Sequence, residues 1–126
     1  MPATQDSSAR VVLVVDDEPL VLYVMDRTLE EAGYVVLQAT SAIEALDYFR
    51  QERPRLDAVV TDVNMDPIDG ASLASLLRQL RPDLPVLFVS GFDTHLGTLP
   101  GPLLGKPFLP DQLVGAVNAL LHRAPH

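Results

Sequence analysis

A chain of 126 residues fits one domain, and a domain this long buries roughly two thirds of its unfolded surface, so it needs no covalent staple. It contains no Cys, which excludes a disulfide framework and a thiolate metal site. With Lys+Arg 9 against Asp+Glu 17, the net charge of -8 repels phosphate backbones and argues against direct nucleic-acid binding.

No apolar run approaches the ~20 residues of a membrane span. The polar start MPATQDSSAR also lacks the apolar stretch of a signal peptide. We therefore expect a soluble cytoplasmic domain over 10–123, with a flexible tail over 1–9 and a short one over 124–126.

Val11, Val12, Leu13, Val14 and Val15 form a short, continuous, mostly β-branched run, the pattern of a strand covered on both faces. Pro19 then opens a helix with Val21, Val24, Met25, Leu29 and Ala32 as its inward face, and Gly33 ends it. That phase leaves Leu22 and Tyr23 outward, a neighbouring pair that could seat a partner beside the site. Tyr34 to Leu37 is a second strand. Ser41 with Glu44 three residues on makes a capping box for a helix from Ala42 to Arg50, which must stop before Pro54.

Leu56 to Thr61 forms a third strand ending at Asp62. Asp69-Gly70 precedes a helix carrying Leu73, Leu76, Leu77 and Leu80, stopped by Pro82. Val86 to Val89 is the fourth strand and Leu103-Leu104 a short fifth, ending at Lys106. The last helix follows Pro110 and carries Leu113, Val114, Val117, Leu120 and Leu121. Strands alternating with helices predict a parallel α/β sheet. The crossover GFDTHLGTLPGP, from Gly91 to Pro102, breaks the rhythm: its Gly and Pro content disfavours a helix. A loop is predicted there, or one helical turn near Thr94 to Gly97.

Polar groups close four of the apolar runs: Asp16-Asp17, Asp62, Ser90 and Lys106-Pro107. In an open parallel sheet such ends share one edge and form the ligand crevice. Three carboxylates, a hydroxyl and an ammonium suit a divalent cation and a phosphoryl group, with one Asp as nucleophile. Two carboxylates ~4 Å apart repel by about 4 kcal/mol at an effective dielectric of 20. Such a cluster therefore calls for a cation or a proton. His95, His122 and His126 are scattered, with no i, i+4 pair, so a His metal site is not expected and His95 and His122 should face solvent.

The segments V-V-D-D-E, T-D-V-N-M-D-P-I-D-G, F-V-S-G and G-K-P-F, in this order and each at a strand end, resemble the receiver domain of two-component response regulators. The resemblance covers about 10–123. It implies a doubly wound, flavodoxin-like α/β fold with five parallel strands in the order 2-1-3-4-5. The crossover composition adds that the helix between the last two strands is shortened or replaced by loop. It implies Asp62 as phosphoacceptor, taking its group from a phosphohistidine on a histidine kinase or histidine phosphotransfer protein. Asp17, Asp62 and the backbone carbonyl of Asn64 would hold Mg2+ (or Mn2+), with Asp16 acting through water and Glu18 peripheral. Lys106 and Ser90 would be the catalytic cation and hydroxyl, and the Lys106-Pro107 bond would be cis.

Two positions depart from the family pattern. Asp66 stands where Pro usually follows the Met, with Pro67 after it. Leu103 stands where an aromatic normally partners Ser90 in the switch. A receiver with a working site that signals through a separate, unknown output partner is thus one reading. An interaction module with a vestigial site is another, and Mg2+ binding separates them. A haloacid-dehalogenase-type phosphatase also uses an Asp nucleophile, but needs Asp-x-Asp where this chain has Asp-Asp-Glu-Pro. The Met1 start suggests a stand-alone regulator, and the V-S-G with its broken crossover suggests a receiver from a hybrid histidine kinase. A monomer is expected, since the altered crossover removes the family's usual dimer face.

Overall fold

The computed structural model describes residues 9–51, 55–91 and 99–123. In chain order the elements are β1 (Val11–Val15), α1 (Pro19–Glu31), β2 (Val35–Ala39), α2 (Ala42–Gln51), β3 (Ala58–Asp62), α3 (Gly70–Leu80), β4 (Val86–Ser90), β5 (Leu103–Gly105) and α4 (Pro110–Arg123). All four strand pairings are parallel, and the sheet order is β2-β1-β3-β4-β5. This is the doubly wound sheet that the alternating pattern predicts.

Successive strand residues point to opposite faces, so one continuous apolar run feeds two cores. Leu13, Val15, Val59 and Phe88 pack with Leu73 and Leu77 of α3 and Ala42 and Ala45 of α2. Val12, Val14, Val60 and Val89 pack on the other face with Leu22, Met25 and Leu29 of α1 and Leu113 and Val117 of α4. Among the described residues no helix is long and apolar enough to cross a membrane.

The phase of α1 differs from the expectation. Leu22 is only 3% exposed and belongs to the core, while Val24 is 42% exposed, Val21 is half-buried and Ala32 is the exposed C-cap. Leu20 to Met25 is six apolar residues in a row, so periodicity does not select a face there. The bulkier Leu22, Met25 and Leu29 take the sheet-facing stripe. Leu22 therefore cannot be an outward docking residue, whereas Tyr23 remains 56% exposed.

Local punctuation follows the sequence closely. Pro19 takes the first turn of α1, where its missing N–H costs nothing. Gly33 ends that helix with φ 101°, a conformation that disfavours any side chain. Ser41 Oγ accepts from the Glu44 amide at 3.1 Å. Glu44 returns its bond to the Thr40 amide at 2.6 Å, one residue earlier than a standard capping box. Asp69 caps α3 by accepting from the Ser72 amide at 2.8 Å.

Two strands start later than expected, and β2, β4 and β5 run on to Ala39, Ser90 and Gly105. β2 begins at Val35, because the Tyr34 amide still donates to Leu29 O in the closing turn of α1. β3 begins at Ala58, after Asp57 has tied its carboxylate to the Val11 amide at 2.7 Å. Among the described residues no helix lies between β4 and β5. The turn considered near Thr94 to Gly97, with Phe92 and His95, lies outside the described residues, as does His126. The returning chain is held by Arg78 of α3, which donates to Leu84 O at 3.1 Å and to Pro100 O at 2.6 Å. His122 is exposed, its Nδ1 lying 2.8 Å from Asn118 O.

Candidate functional site

Parallel strands bring all their C-terminal ends to one edge. β1 delivers Asp16 and Asp17, β3 delivers Asp62, β4 delivers Ser90, and the residue after β5 is Lys106. One carboxylate oxygen from each of Asp16, Asp17 and Asp62 lies within 4.8 Å of the others. Asp16, Asp62 and Ser90 are buried, Asp17 is exposed, and Asn64 is exposed just past Asp62.

The backbone fixes Asp62 tightly. Its Oδ1 accepts from the Asn64 amide at 3.2 Å, and Thr61 Oγ1 donates to its carbonyl at 3.0 Å. Gly70, the first residue of α3, closes the loop: its amide donates to Val63 O at 2.9 Å. A Cβ on Gly70 would sit 2.2 Å from the Asp62 carbonyl oxygen, so only glycine lets the helix start this close to the strand end. The Asp66-Pro67 and Lys106-Pro107 peptide bonds are both cis.

Lys106 reaches into the cluster. Its Nζ lies 3.1 Å from Asp16 Oδ2, 3.5 Å from Asp62 Oδ2 and 3.8 Å from Glu18 Oε1, with the side chain 19% exposed. The nearest carboxylate is thus Asp16, not Asp62, and Glu18 belongs to the charge set rather than to the periphery. Asp16 uses its other oxygen to accept from the Glu18 amide at 2.9 Å. Ser90 Oγ donates to Gly91 O at 3.2 Å, and Ser90 O accepts from the Lys106 amide at 2.7 Å. That last bond ties the hydroxyl strand to the cation strand.

Electrostatics follow from this crowding. Burial, then the charge of Asp16, push the Asp62 carboxyl above its ordinary range; Lys106 and the Asn64 amide pull the other way without cancelling the effect. Burial opposes the charge on Lys106, but its hydrogen bond to Asp16 and the charges of Asp16, Asp62 and Glu18 outweigh it and raise its pKa. Three carboxylates share one ammonium, and Asp17 adds a fourth carboxylate beside Asp16 and Asp62. Hard oxygen donors gathered this closely fit a divalent cation such as Mg2+, which favours one or two carboxylates beside a phosphoryl group.

Sequence reasoning placed these strand ends at one edge but did not anticipate two features of their geometry. Gly70 was legible only as a loop residue, since its role depends on how closely α3 approaches β3. The pairing of Lys106 with Asp16 depends on which of two adjacent aspartates turns inward.

Leu103 lies at the start of β5 with 43% of its surface exposed. Tyr23 stands on the solvent side of α1, with the exposed Leu20 one turn before it and the exposed Val24 next to it.

Comparison with known proteins agrees with this geometry. The family model described as "Response regulator receiver domain" matches residues 12–98. Among curated proteins, the sensor kinase CckA of Brucella abortus is 37% identical over 127 residues, covering 96% of this chain and 13% of that protein. The transcriptional regulatory protein PrrA of Mycobacterium tuberculosis is 38% identical over 118 residues, covering 89% of this chain and 50% of that protein. The chain therefore spans half or less of the length of these relatives. Among solved structures, a response regulator receiver protein from Sinorhizobium medicae superposes with a TM-score of 0.82 at 31% identity, covering 94% of this chain and 98% of that one. An acidic cluster, a hydroxyl and a lysine on the C-terminal edge of a 2-1-3-4-5 sheet, joined to these matches, identify the chain as a member of the response regulator receiver domain family of two-component signalling.

Proposed function

We propose that Asp62 is the phosphoacceptor, taking a phosphoryl group from a phosphohistidine on a histidine kinase or histidine phosphotransfer protein. An Asp62 carboxylate oxygen attacks phosphorus in line. The P–N bond to the donor imidazole breaks, its electron pair stays on nitrogen, and an acyl phosphate forms. Water later hydrolyses that mixed anhydride, releasing inorganic phosphate and the free carboxylate, so the domain modifies and resets itself rather than turning over an outside substrate. The observation that carries this reading is the setting of Asp62: buried at a strand end, 3.5 Å from the Lys106 ammonium, within 4.8 Å of two further carboxylates.

Asp17, Asp62 and the Asn64 backbone carbonyl would hold Mg2+ (or Mn2+), with Asp16 acting through water. Both Asp16 oxygens are already engaged, by Lys106 and by the Glu18 amide, which supports the indirect role. When bound, the ion neutralises charge on the phosphoryl oxygens. Lys106 shifts its charge from the carboxylates to the phosphoryl group. Ser90 Oγ exchanges its bond to Gly91 O for one to a phosphoryl oxygen, and that movement, with Leu103 on the neighbouring strand, is the readout offered to an output partner. Tyr23, with Leu20 and Val24 in place of the buried Leu22, forms the donor-docking face.

Intact mass after exposure to Mg2+ and a small phosphodonor tests the core of this. One alkali-labile phosphoryl on the wild type, absent from Asp62→Asn, is the expected result; no adduct on the wild type overturns it. A second reading, a phosphorylation-independent interaction module, is favoured by one feature: an exposed Leu103 where the switch normally has an aromatic. It requires that Mg2+ affinity be absent, which calorimetry measures directly.

A further inference from the structure

We propose that the opposite edge of the molecule, where α2 and α3 end, holds a binding site for a nucleotide. A concavity of about 580 Å³ lies there, lined by Tyr48, Phe49, Arg50, Arg55, Leu56, Leu80 and Arg81. Its size falls in the range of small-molecule sites. It sits at the N-terminal side of β3 and at the C-terminal ends of the two helices, far along the sheet from the aspartate cluster.

The charge placement is what needs explaining. A chain of net charge -8 has nine Lys and Arg, and three of them line this one hollow, with no carboxylate among its described lining residues. The C-terminal ends of α2 and α3 favour Arg50 and Arg81 there, and with Arg55 they form a cluster of guanidiniums that an anion would meet together. The guanidinium of Arg81 is anchored through a hydrogen bond to Leu56 O, which fixes one donor and leaves the others of its fork available. Arg50 is 3.5 Å from Asp47 but mostly exposed, and Arg55 is exposed, with no ion pair or hydrogen bond among the described residues.

The apolar half of the lining selects the ligand class. Tyr48 and Phe49 are half-buried, pack against the core and line the hollow beside the arginines. Leu80, exposed for 56% of its surface, adds an apolar wall. Aromatic rings stack on a planar base, and arginine forks bind phosphate oxygens in pairs. A simple inorganic anion would leave that apolar surface unused, and an uncharged ring would leave the arginines unpaired. A nucleoside phosphate satisfies both.

The test is a titration of the isotope-labelled full chain with ATP, adenosine and tripolyphosphate, in EDTA so that the aspartate edge takes no metal. We expect ATP to shift the amides of residues 48–51, 55–56 and 80–81 saturably, and each half-ligand to bind more weakly. Arg50→Glu and Arg55→Glu, both on exposed positions, should weaken ATP about tenfold or more while circular dichroism is unchanged. The proposal is overturned if ATP leaves those amides unmoved at millimolar concentration, or if the charge reversals leave its affinity intact. Tripolyphosphate binding as tightly as ATP would also overturn it, by showing a polyanion patch that does not use the aromatic wall.

Discussion

Asp62 carries its charge at a cost. Its carboxyl is raised above the ordinary range by burial and by Asp16, so the folded state holds a proton there more tightly than the unfolded chain does. For an acid with a raised pKa, the associated stability is present below the unfolded value and is lost as pH rises through the folded one. Without metal, Asp62→Asn should therefore be more stable than wild type at neutral pH, and the difference should vanish in acid. Thermal melts in EDTA across that range check this; a constant difference at all pH values would show that charge is not the cause. Residues of this kind were legible as types at strand ends. Which of Asp16 and Asp17 turns inward was not, because two adjacent aspartates are equivalent until the strand's pleat assigns them sides.

At the scale of the element, α1 has a buried face and an exposed one. Leu22 is buried in the core cluster that α1 shares with the sheet and α4, so Leu22→Ala should cost about 2–5 kcal/mol in a urea melt. Its neighbour is exposed, so Tyr23→Ala should change stability by no more than about 0.5 kcal/mol. Transfer from a phosphohistidine donor should fall in Tyr23→Ala, with small-molecule phosphorylation unaltered; equal rates from both donors would remove Tyr23 from the docking face. The caps of α2 and α3 and the stop at Gly33 were readable because each depends on neighbours within four residues. The phase of α1 was not, because six consecutive apolar residues satisfy any face and only the sheet's demand for bulk chooses one.

For the molecule as a whole, charge balance links folding to ligand. Asp16, Glu18 and Asp62 converge on the ammonium of Lys106, with Asp17 beside Asp16 and Asp62, in a chain of net charge -8. Mg2+ should stabilise the wild type by about 2.7 kcal/mol at a hundredfold excess over its Kd. An Asp17→Asn, Asp62→Asn double variant should respond to Mg2+ only as it does to NaCl of equal ionic strength. Identical responses in the two proteins would mean that screening, not a site, is at work. By itself the sequence determined the alternation of strands and helices, the parallel sheet, and the residue types at each strand end, because those follow from local periodicity and turn chemistry. Only the tertiary structure decided that Lys106 lies closest to Asp16, that Gly70 must be glycine, that Leu22 is core, and that three arginines share one hollow. Each of those depends on distances between segments far apart in the chain, which no local pattern encodes.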